Sequence, residues 1–441
     1  MTSKESAHRT LALLVCFAVC TLLFLTRTRV VVGTMARRDL GPGFGPGIDK
    51  RPLVSTLITL LLLFTLLGSA HAKQTCHKTA DHRTINKAFS DGGPGMKVFL
   101  CPGHTYSLTG TIVFTSADQE LATMGYPTDS TRARLVVDSE VLVTAVQGDC
   151  RRCARVSIRS VIIDGGRARL GRSQDPAAPG MVVIGGNEGQ RIQDCTLAYP
   201  RGWTAVHVRE GSKLQCKGAI IERNVIGPAG EEYVPAIDGP DPEMSPLGRP
   251  LADGLAIACK DSIVKDNTIV DCTDAGIVVY CSPGTLVANN KISAMTHSAM
   301  GGILMVDATP FDGDYSGLVV RDNVLNAGAS PMRVGIGIGL SILSDDIETI
   351  LHSGTVTRNV LRGPFMGFGI AAAGLKDWTI TDNWSEARHQ GKLSARCFDE
   401  PVNPDPTAFL YHKATIEGGK IQPGFVDSDF AYSESKWRFS C

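Results

Sequence analysis

The chain has 441 residues, of which 43% are hydrophobic and 47 are glycine, while only 6% are aromatic. This composition can bury a large core and is typical of many short strands joined by turns rather than of long helices. The 44 basic residues balance the 44 acidic ones, so the chain lacks the basic surplus that is typical of nucleic-acid-binding proteins, and we expect no nucleic-acid partner.

Residues 1–72 are predicted to be a targeting segment. Two apolar runs begin at Leu11 and Leu53, and the second follows an Asp-Lys-Arg triplet and leads into Ala70-His71-Ala72. A basic flank, an apolar centre and a small-x-small ending are typical of a secretory signal cleaved after Ala72. The second run is also nearly long enough to span a bilayer as an uncleaved anchor, which stays open as the alternative.

The cysteines also favour an oxidising compartment. The chain contains 13 of them, which suits a secreted protein better than a cytosolic one. We therefore expect a protein of the extracellular space or the cell wall, or else one held at the membrane through the uncleaved segment.

Residues 73–94 are predicted to form an N-terminal cap. Ile85, Ala88 and Phe89 recur at helical spacing, which predicts a short amphipathic helix that covers the end of the fold.

A repeated pattern fills residues 95–390. Each repeat has an apolar-x-apolar strand, then an asparagine-x-apolar group, then a glycine followed by alternating apolar residues. Short strands of period two that recur every roughly 22 to 36 residues are typical of a solenoid. We predict an all-β fold, a single-stranded right-handed parallel β-helix.

Stacked coils would bring the repeated asparagines together. In a parallel β-helix, equivalent positions of successive coils lie about 4.8 Å apart. The predicted inward ladder consists of Asn224, Asn267, Asn290, Asn323, Asn359 and Asn383. The alternative is six independent turn asparagines.

The cysteines follow the same register. Cys216 and Cys259 lie at the same offset from ladder asparagines, so they should occupy adjacent coils within disulfide reach. The alternative is a stack of buried thiols. Cys150-Arg-Arg-Cys153 has neither a thioredoxin-like context nor a second pair that would complete a zinc site, so we interpret it as structural.

The glycine-containing strands should present one face for ligands. Its outward positions, in coil order, are His207, Arg209, Ala256, Ala258, Val278, Tyr280, Leu304, Val306, Gly337 and Gly339. Such a face would be a shallow trough of small residues with polar groups at one end, which suits an extended glycan.

Two carboxylates stand next to this face. Asp253 and Asp274 precede the glycines of neighbouring coils, so their carboxylates should approach within roughly 5 to 7 Å and act as the acid and base of a glycosidase. The alternative is that both cap turns by accepting backbone N–H bonds.

A second chemistry is open at the same face. In a lyase that acts on a uronate, Arg209 or Arg333 would neutralise the carboxylate and His207 would abstract the proton. Trp203 and Tyr280 are predicted to stack on sugar rings, and Asp307 follows one of the strands as a further substrate contact.

A long insertion supports a site at this place. Residues 227–250 form a Pro-rich acidic segment that leads directly to Asp253, and loops of this length are commonly functional.

Two acidic pairs, Asp312 with Asp314 and Asp345 with Asp346, could bind calcium, but such residues usually face water, so no metal is assigned and the cofactor stays unknown.

Residues 391–441 are predicted to be an irregular capping tail. The repeat fades there, and Cys397 is the natural disulfide partner of Cys441.

The chain resembles the pectin lyase-like right-handed parallel β-helix superfamily, and in detail secreted fungal β-helix proteins of uncharacterised activity. The resemblance rests on QELATMGYPTD at residues 119–129, IIDGG at 162–166, YPRGWTAVHV at 199–208, ADGLAIAC at 252–259 and TDAGIVVYCSPGT at 273–285. It implies a carbohydrate-active fold, whereas the fold alone does not determine the chemistry. The Asn-Thr-Asp, Gly-His-Gly and Arg-Ile-Lys signatures of polygalacturonases and the Trp-x-Asp-His signature of pectate lyases are absent.

Together these features predict a secreted monomer that binds and processes a wall or plant polysaccharide, acidic in the favoured version, as a lyase or a glycoside hydrolase. The alternative is a noncatalytic glycan-binding or wall-structural solenoid.

Overall fold

The computed structural model describes residues 75–175, 178–240, 244–344, 346–390 and 405–429. The predicted targeting segment, Asp345, and the predicted pair Cys397 and Cys441 lie outside these residues. The described chain winds as a right-handed parallel β-helix, and each full coil adds one strand to each of three parallel sheets, here named A, B and C.

Among the described residues, sheet A has eleven strands: Lys97–Leu100, Glu120–Thr123, Ser157–Arg159, Arg191–Gln193, Ile220–Glu222, Ile263–Lys265, Leu286–Ala288, Val319–Arg321, Thr355–Thr357, Thr379–Thr381 and Lys420–Ile421. Sheet B has ten in the same part of the chain: Thr105–Leu108, Ala133–Val137, Val161–Asp164, Thr196–Ala198, Val225–Ile226, Thr268–Val270, Lys291–Ala294, Val324–Ala327, Val360–Arg362 and Trp384–Ser385.

Sheet C, counted over the described ranges, has eleven strands: Ile112–Val113, Val146–Gly148, Val182–Gly185, Thr204–Arg209, Asp253–Ile257, Ala275–Val279, Ala299–Met305, Met332–Ile338, Met366–Ala372, Phe409–Tyr411 and Val426–Asp427. A small sheet D adds Leu351–His352, Leu375–Lys376 and Ile416–Glu417. The helices are His82–Gly92, the one-turn Arg167–Leu170 and Pro235–Asp238, and the 3-10 turns Leu340–Ile342 and Lys413–Thr415.

The coils continue past the predicted end at residue 390. Residues 405–429, which the sequence places in an irregular tail, add strands to sheets A, C and D. Their strands are only two or three residues long, which is too short for the alternating pattern to stand out in the sequence.

Apolar side chains fill the inside of the solenoid. In sheet A, Ile221 pairs with Val264, Val264 pairs with Val287, and the column continues through Val320 and Val356. Each of these side chains is fully buried. The period-two pattern of the sequence therefore corresponds to one inward column per strand position.

The asparagine ladder is confirmed. The Asn267 side chain donates to Asn290 Oδ1 at 2.9 Å and to the backbone oxygen of Ile221 at 2.9 Å, and Asn290 Oδ1 also accepts the N–H of Asn267 at 3.1 Å. The same set of bonds recurs at each step of the ladder from Asn224 to Asn383. It extends one step further than predicted, because Gln422 Oε1 accepts the N–H of Asn383 at 2.9 Å.

A sharp corner precedes each ladder asparagine. The preceding residue has a left-handed backbone, with φ between 53° and 59° at Arg223, Asp266, Asn289, Asp322, Arg358 and Asp382. This corner turns the chain from sheet A into sheet B, and the asparagine amide satisfies backbone groups that the corner leaves without sheet partners.

The predicted cap is a helix at His82–Gly92. Asp81 accepts the N–H of Thr84 at 2.8 Å and so caps its first turn. Ile85 and Phe89 are buried against the first coil, as their spacing predicts, and Asn86 Nδ2 donates to the Thr111 oxygen at 2.8 Å.

Three disulfides link described residues, namely Cys76–Cys101, Cys150–Cys153 and Cys216–Cys259. Cys216 and Cys259 therefore pair across neighbouring coils as their register predicts. Over the described ranges, no helix is long and apolar enough to cross a membrane.

The ladder yields a stability prediction. Asn290→Ala should lower the free energy of unfolding by about 2–5 kcal/mol. The change leaves the Asn267 amide N–H, the Val264 oxygen and the Asn323 Oδ1 without the hydrogen bonds that the Asn290 side chain makes to them. Chemical denaturation measures the change. The matched control is Asn326→Ala, a partly exposed asparagine on the next coil, which should change it by less than about 0.5 kcal/mol. Equal effects would contradict the ladder's role.

Candidate functional site

The predicted site residues lie on or beside the outer face of sheet C. In the observed register, His207 pairs with Ala256, Ala256 with Val278, Val278 with Leu304, and Leu304 with Gly337. These positions form one outward column, as the sequence predicts.

The predicted open trough is wrong over the later coils. Ala256 is fully buried, and Val278 and Leu304 are only 7% and 2% exposed. The chain folds back after the strand Met332–Ile338 and packs Ile342 and Leu343 onto this face, so a Cβ at Gly337 would lie 3.3 Å from Ile342 Cγ2. The small residues make room for covering chain, and Gly337 and Gly339 do not form a flat open surface.

One polar cluster surrounds His207. Its ring lies 4.8 Å from that of Trp203 in an edge-to-face arrangement. Arg209 forms an ion pair with Asp149 at 2.7 Å and remains 55% exposed. Roles for His207, Trp203 and Arg209 were predicted from the sequence. Asp149 was missed, and its only sequence signal is its position directly before Cys150.

The environment of His207 keeps its imidazole neutral. Burial and, second to it, the positive charge of Arg209 lower the pKa of His207, Asp149 opposes them, and the resulting pKa is about 4. The imidazole is therefore the free base at mildly acidic and neutral pH, although a base of such low pKa is a weak proton acceptor.

A second group of charged residues, here named the Tyr280 cluster, acts on Tyr280 and consists of Asp253, Asp274, Asp307 and Arg249. Burial raises the pKa of the half-buried Tyr280 phenol well above its usual range; the charges of Asp253, Asp274 and Asp307 raise it further, and Arg249 opposes them. The phenol is therefore protonated at ordinary pH. The charges of the three predicted aspartates thus act on one phenol. Asp307 and Tyr280 follow the ends of their strands, whereas Asp253 and Asp274 lie where their strands begin.

The two aspartates of the predicted catalytic pair occupy different environments. Asp253 is 4% exposed, and its Oδ1 accepts the N–H of Ala275 at 3.0 Å. This bond to the neighbouring coil is of the kind that the turn-capping alternative predicts. Asp274 is half-buried and directly precedes Ala275, so the two carboxylates belong to adjacent positions of neighbouring coils.

Asp307 and Arg333 are less available than the sequence implies. Asp307 accepts the N–H and the hydroxyl of Thr309, both at 2.8 Å, as in a turn. Arg333 is 2% exposed and occupies the register position of Asp274 two coils further on, with Met300 between them. The Arg333 guanidinium is therefore buried and does not lie on an open surface.

The insertion 227–250 is fixed by buried arginines. Arg167 Nε donates to Glu231 Oε1 at 2.7 Å, and its Nη2 donates to the backbone oxygens of Arg249 and Pro250 at 2.8 Å each. Arg172 donates to Glu231 Oε2 at 2.9 Å and pairs with Asp238. The described part of the insertion therefore has a fixed course, and it delivers Arg249 to the Tyr280 cluster.

Within the described residues, no group of three or more histidine, cysteine or acidic side chains could hold a metal ion. The acidic residues considered for calcium bind their own loops: Asp314 Oδ1 accepts the N–H of Ser316 at 2.8 Å, and Asp346 Oδ1 accepts that of Thr349 at 2.8 Å.

An additional cleft lies at the first coils and was not predicted. It has a volume of about 760 Å³ and is lined by Val113, Phe114, Thr115, Cys150, Arg151 and Arg152. It occupies the edge of sheet C at which the strands Ile112–Val113 and Val146–Gly148 end.

Residues 180–385 match the family described as right handed beta helix region. This match agrees with the right-handed parallel β-helix of the described residues. No curated protein sequence matches it.

Several solved structures are similar to this β-helix. The mannuronan C-5 epimerase A-module of Azotobacter vinelandii is 14% identical over 81% of this chain and 98% of its own, with a TM-score of 0.48. The alginate lyase of Paenibacillus sp. str. FPU-7 is 14% identical over 70% and 95%, with a TM-score of 0.46. The DFA-IIIase of Arthrobacter chlorophenolicus A6 without its lid is 14% identical over 88% and 91%, with a TM-score of 0.47.

The insertion should loosen in acid. Burial alone would raise the pKa of Glu231, but Arg167 and Arg172 outweigh it, and the pKa lies below its usual value. Because the pKa of Glu231 is lower in the folded than in the unfolded protein, the contact stabilises the fold fully above the unfolded value, near 4.5. This contribution is lost as the pH falls from the unfolded pKa through the folded pKa.

Hydrogen exchange of residues 231–240 and 244–250, corrected for intrinsic rates, should therefore be about tenfold faster at pH 3.5 than at pH 6, while the cap helix changes less. In Glu231→Gln, exchange should already be fast at pH 6. Equal protection at both pH values in the unmodified protein would contradict the role assigned to Glu231.

His207 should titrate far below an ordinary histidine. An NMR titration, assigned with His207→Gln, should give a midpoint pKa of about 4. Arg209→Gln should raise the pKa, since it removes a positive charge and leaves the negative charge of Asp149 unpaired. A midpoint at 6 or above in the unmodified protein would show that the ring is not buried as described.

Proposed function

We propose that the protein binds an extended carbohydrate chain at the margin of sheet C and hydrolyses a glycosidic bond near Asp253, Asp274 and Tyr280. The observation that carries this is that Asp253 and Asp274 occupy adjacent positions of neighbouring coils, from which their charges act on one protonated phenol. Glycoside hydrolysis needs two carboxyl groups, one that protonates the leaving oxygen and one that acts as base or nucleophile.

The residues suit different parts of the reaction. Asp253, which accepts a backbone N–H, suits the role of the carboxylate. Asp274, half-buried at the adjacent position, suits the role of the acid. The Tyr280 phenol donates a hydrogen bond to a sugar oxygen and offers its ring to the apolar face of the sugar.

The surroundings of Tyr280 support a pre-formed site. The insertion stands in a fixed position, with Glu231 and Asp238 bound to buried arginines, and a rigid surround reduces the cost of ordering a substrate. The disulfides among the described residues are consistent with an extracellular place of work, which agrees with the secretory signal predicted at residues 1–72.

β-Elimination at His207 is the second candidate. It is favoured by the neutral imidazole, which contacts the Trp203 ring and is influenced by the charge of Arg209. It is weakened by the ion pair of Arg209 with Asp149, since a guanidinium held at 2.7 Å by one carboxylate binds a second less strongly.

A panel of neutral and acidic polysaccharides tests the proposal, with both new reducing ends and ultraviolet absorbance measured. Hydrolysis should give reducing ends without absorbance. Asp253→Asn and Asp274→Asn should each lower the rate at least a hundredfold. Asp312→Asn removes an exposed carboxylate from a left-handed position that asparagine tolerates and should leave the rate unchanged.

The other outcomes identify the alternatives. Absorbing products that depend on His207 would establish the lyase. If no substrate gives either signal, while calorimetry detects glycan binding that Trp203→Ala weakens, the noncatalytic binding protein replaces the enzyme. Circular dichroism and melting temperature establish that each variant is folded.

A further inference from the structure

The cleft at the first coils lies at the edge of sheet C where the strands end. Tyr280 lies at the same edge, directly after the strand Ala275–Val279. The strand Val146–Gly148, which ends at the cleft, is followed in the sheet by Val182–Gly185, Thr204–Arg209, Asp253–Ile257 and Ala275–Val279. Four strand spacings amount to about 19 Å. A ligand that runs along the solenoid axis could therefore contact both places.

The cleft carries two positive charges that no acidic side chain of the described residues neutralises. Arg151 and Arg152 are both exposed, and neither forms an ion pair with any described residue. Their neighbours differ: Arg155 binds Asp118 and Glu188, and Asp149 is taken by Arg209.

The loop that presents these arginines is rigid. The Cys150–Cys153 disulfide closes it, and Cys153 donates its N–H to the Cys150 oxygen at 2.9 Å. Asn187 Nδ2 donates to the same oxygen at 2.6 Å, and Gln190 Nε2 donates to the Cys153 oxygen at 2.7 Å. A fixed loop loses little conformational freedom when it binds a ligand.

The charges that act on Tyr280 are mainly of opposite sign. Those of Asp253, Asp274 and Asp307 raise its pKa, and that of Arg249 opposes them. Acidic groups of a substrate are therefore disfavoured beside Tyr280, and the two guanidinium groups of the cleft are the better place for them.

We infer that the cleft at Arg151 and Arg152 is a second binding site, which takes the carboxylate or sulfate groups of an anionic glycan. Guanidinium forks match such planar or tetrahedral oxyanions with paired hydrogen bonds, and Val113 and Phe114 add apolar surface for a sugar ring. The glycan identity of the ligand rests on the proposed function. The bound chain would place its anionic part at the first coils and a less charged part at Tyr280.

Calorimetry on the full-length protein tests this site without relying on catalysis. The probes are a neutral hexasaccharide, an oligouronate of the same length and a sulfated oligosaccharide of the same length. At least one anionic probe should bind about tenfold more tightly than the neutral one, and that preference should fall as salt is raised. The tighter of the two anionic probes identifies the charged group.

Paired variants locate the binding. Arg151→Ala with Arg152→Ala should lower the affinity for the anionic probe about tenfold and leave the neutral probe unchanged. Arg83→Ala with Arg191→Ala removes two charges from exposed arginines elsewhere and should have little effect. Cys150→Ser with Cys153→Ser keeps both arginines but frees the loop, and should weaken anion binding about threefold or more.

Two results would overturn the inference: equal affinity for all three probes, or equal losses in the two arginine pairs. Its failure is separable from that of the proposed function. Asp274→Asn should abolish cleavage and retain anion binding, so cleavage without an arginine effect defeats only this site, and an arginine effect without cleavage defeats only the hydrolase.

Discussion

From Asn224 onward, the fold depends on the hydrogen bonds of one buried side chain per coil. A left-handed corner turns the chain from sheet A to sheet B and leaves backbone groups without sheet partners. The asparagine that follows satisfies them and also joins its own coil to the next, as Asn267 does with Asn290. Because an unmet buried donor or acceptor costs about 1–3 kcal/mol, the ladder selects one register for the stack, and that register brings all three sheets into line.

Alignment of the coils also explains how distant residues meet. Asp253 and Asp274 are adjacent because their coils are adjacent, and Cys216 reaches Cys259 for the same reason. The electrostatics then divide the outer edge of sheet C into two parts. The charges of three carboxylates act on Tyr280, and the exposed Arg151 and Arg152 lie at the first coils, so the charge differs in sign along the solenoid axis.

The repeat made the coils, the ladder and the Cys216–Cys259 pair predictable. The cap helix was predictable from the helical spacing of Ile85, Ala88 and Phe89. Each of these predictions follows from spacing along the chain. The open trough was not predictable, since small residues such as Gly337 fit either a bare face or one covered by Ile342, and only the path of the chain decides between them. Arg249 and Asp149 were missed for a related reason: their roles arise from loops, where position along the sequence says little about position in space.

The ladder joins neighbouring coils only, and the chain between consecutive asparagines varies widely in length: 43 residues separate Asn224 from Asn267, and 23 separate Asn267 from Asn290. A coil can therefore gain or lose a surface loop while its bonds to the coils above and below stay the same. The insertion 227–250 is such an addition. Each coil thus behaves as an exchangeable cassette, and new binding specificities can arise by lengthening one loop while the rest of the molecule keeps its architecture.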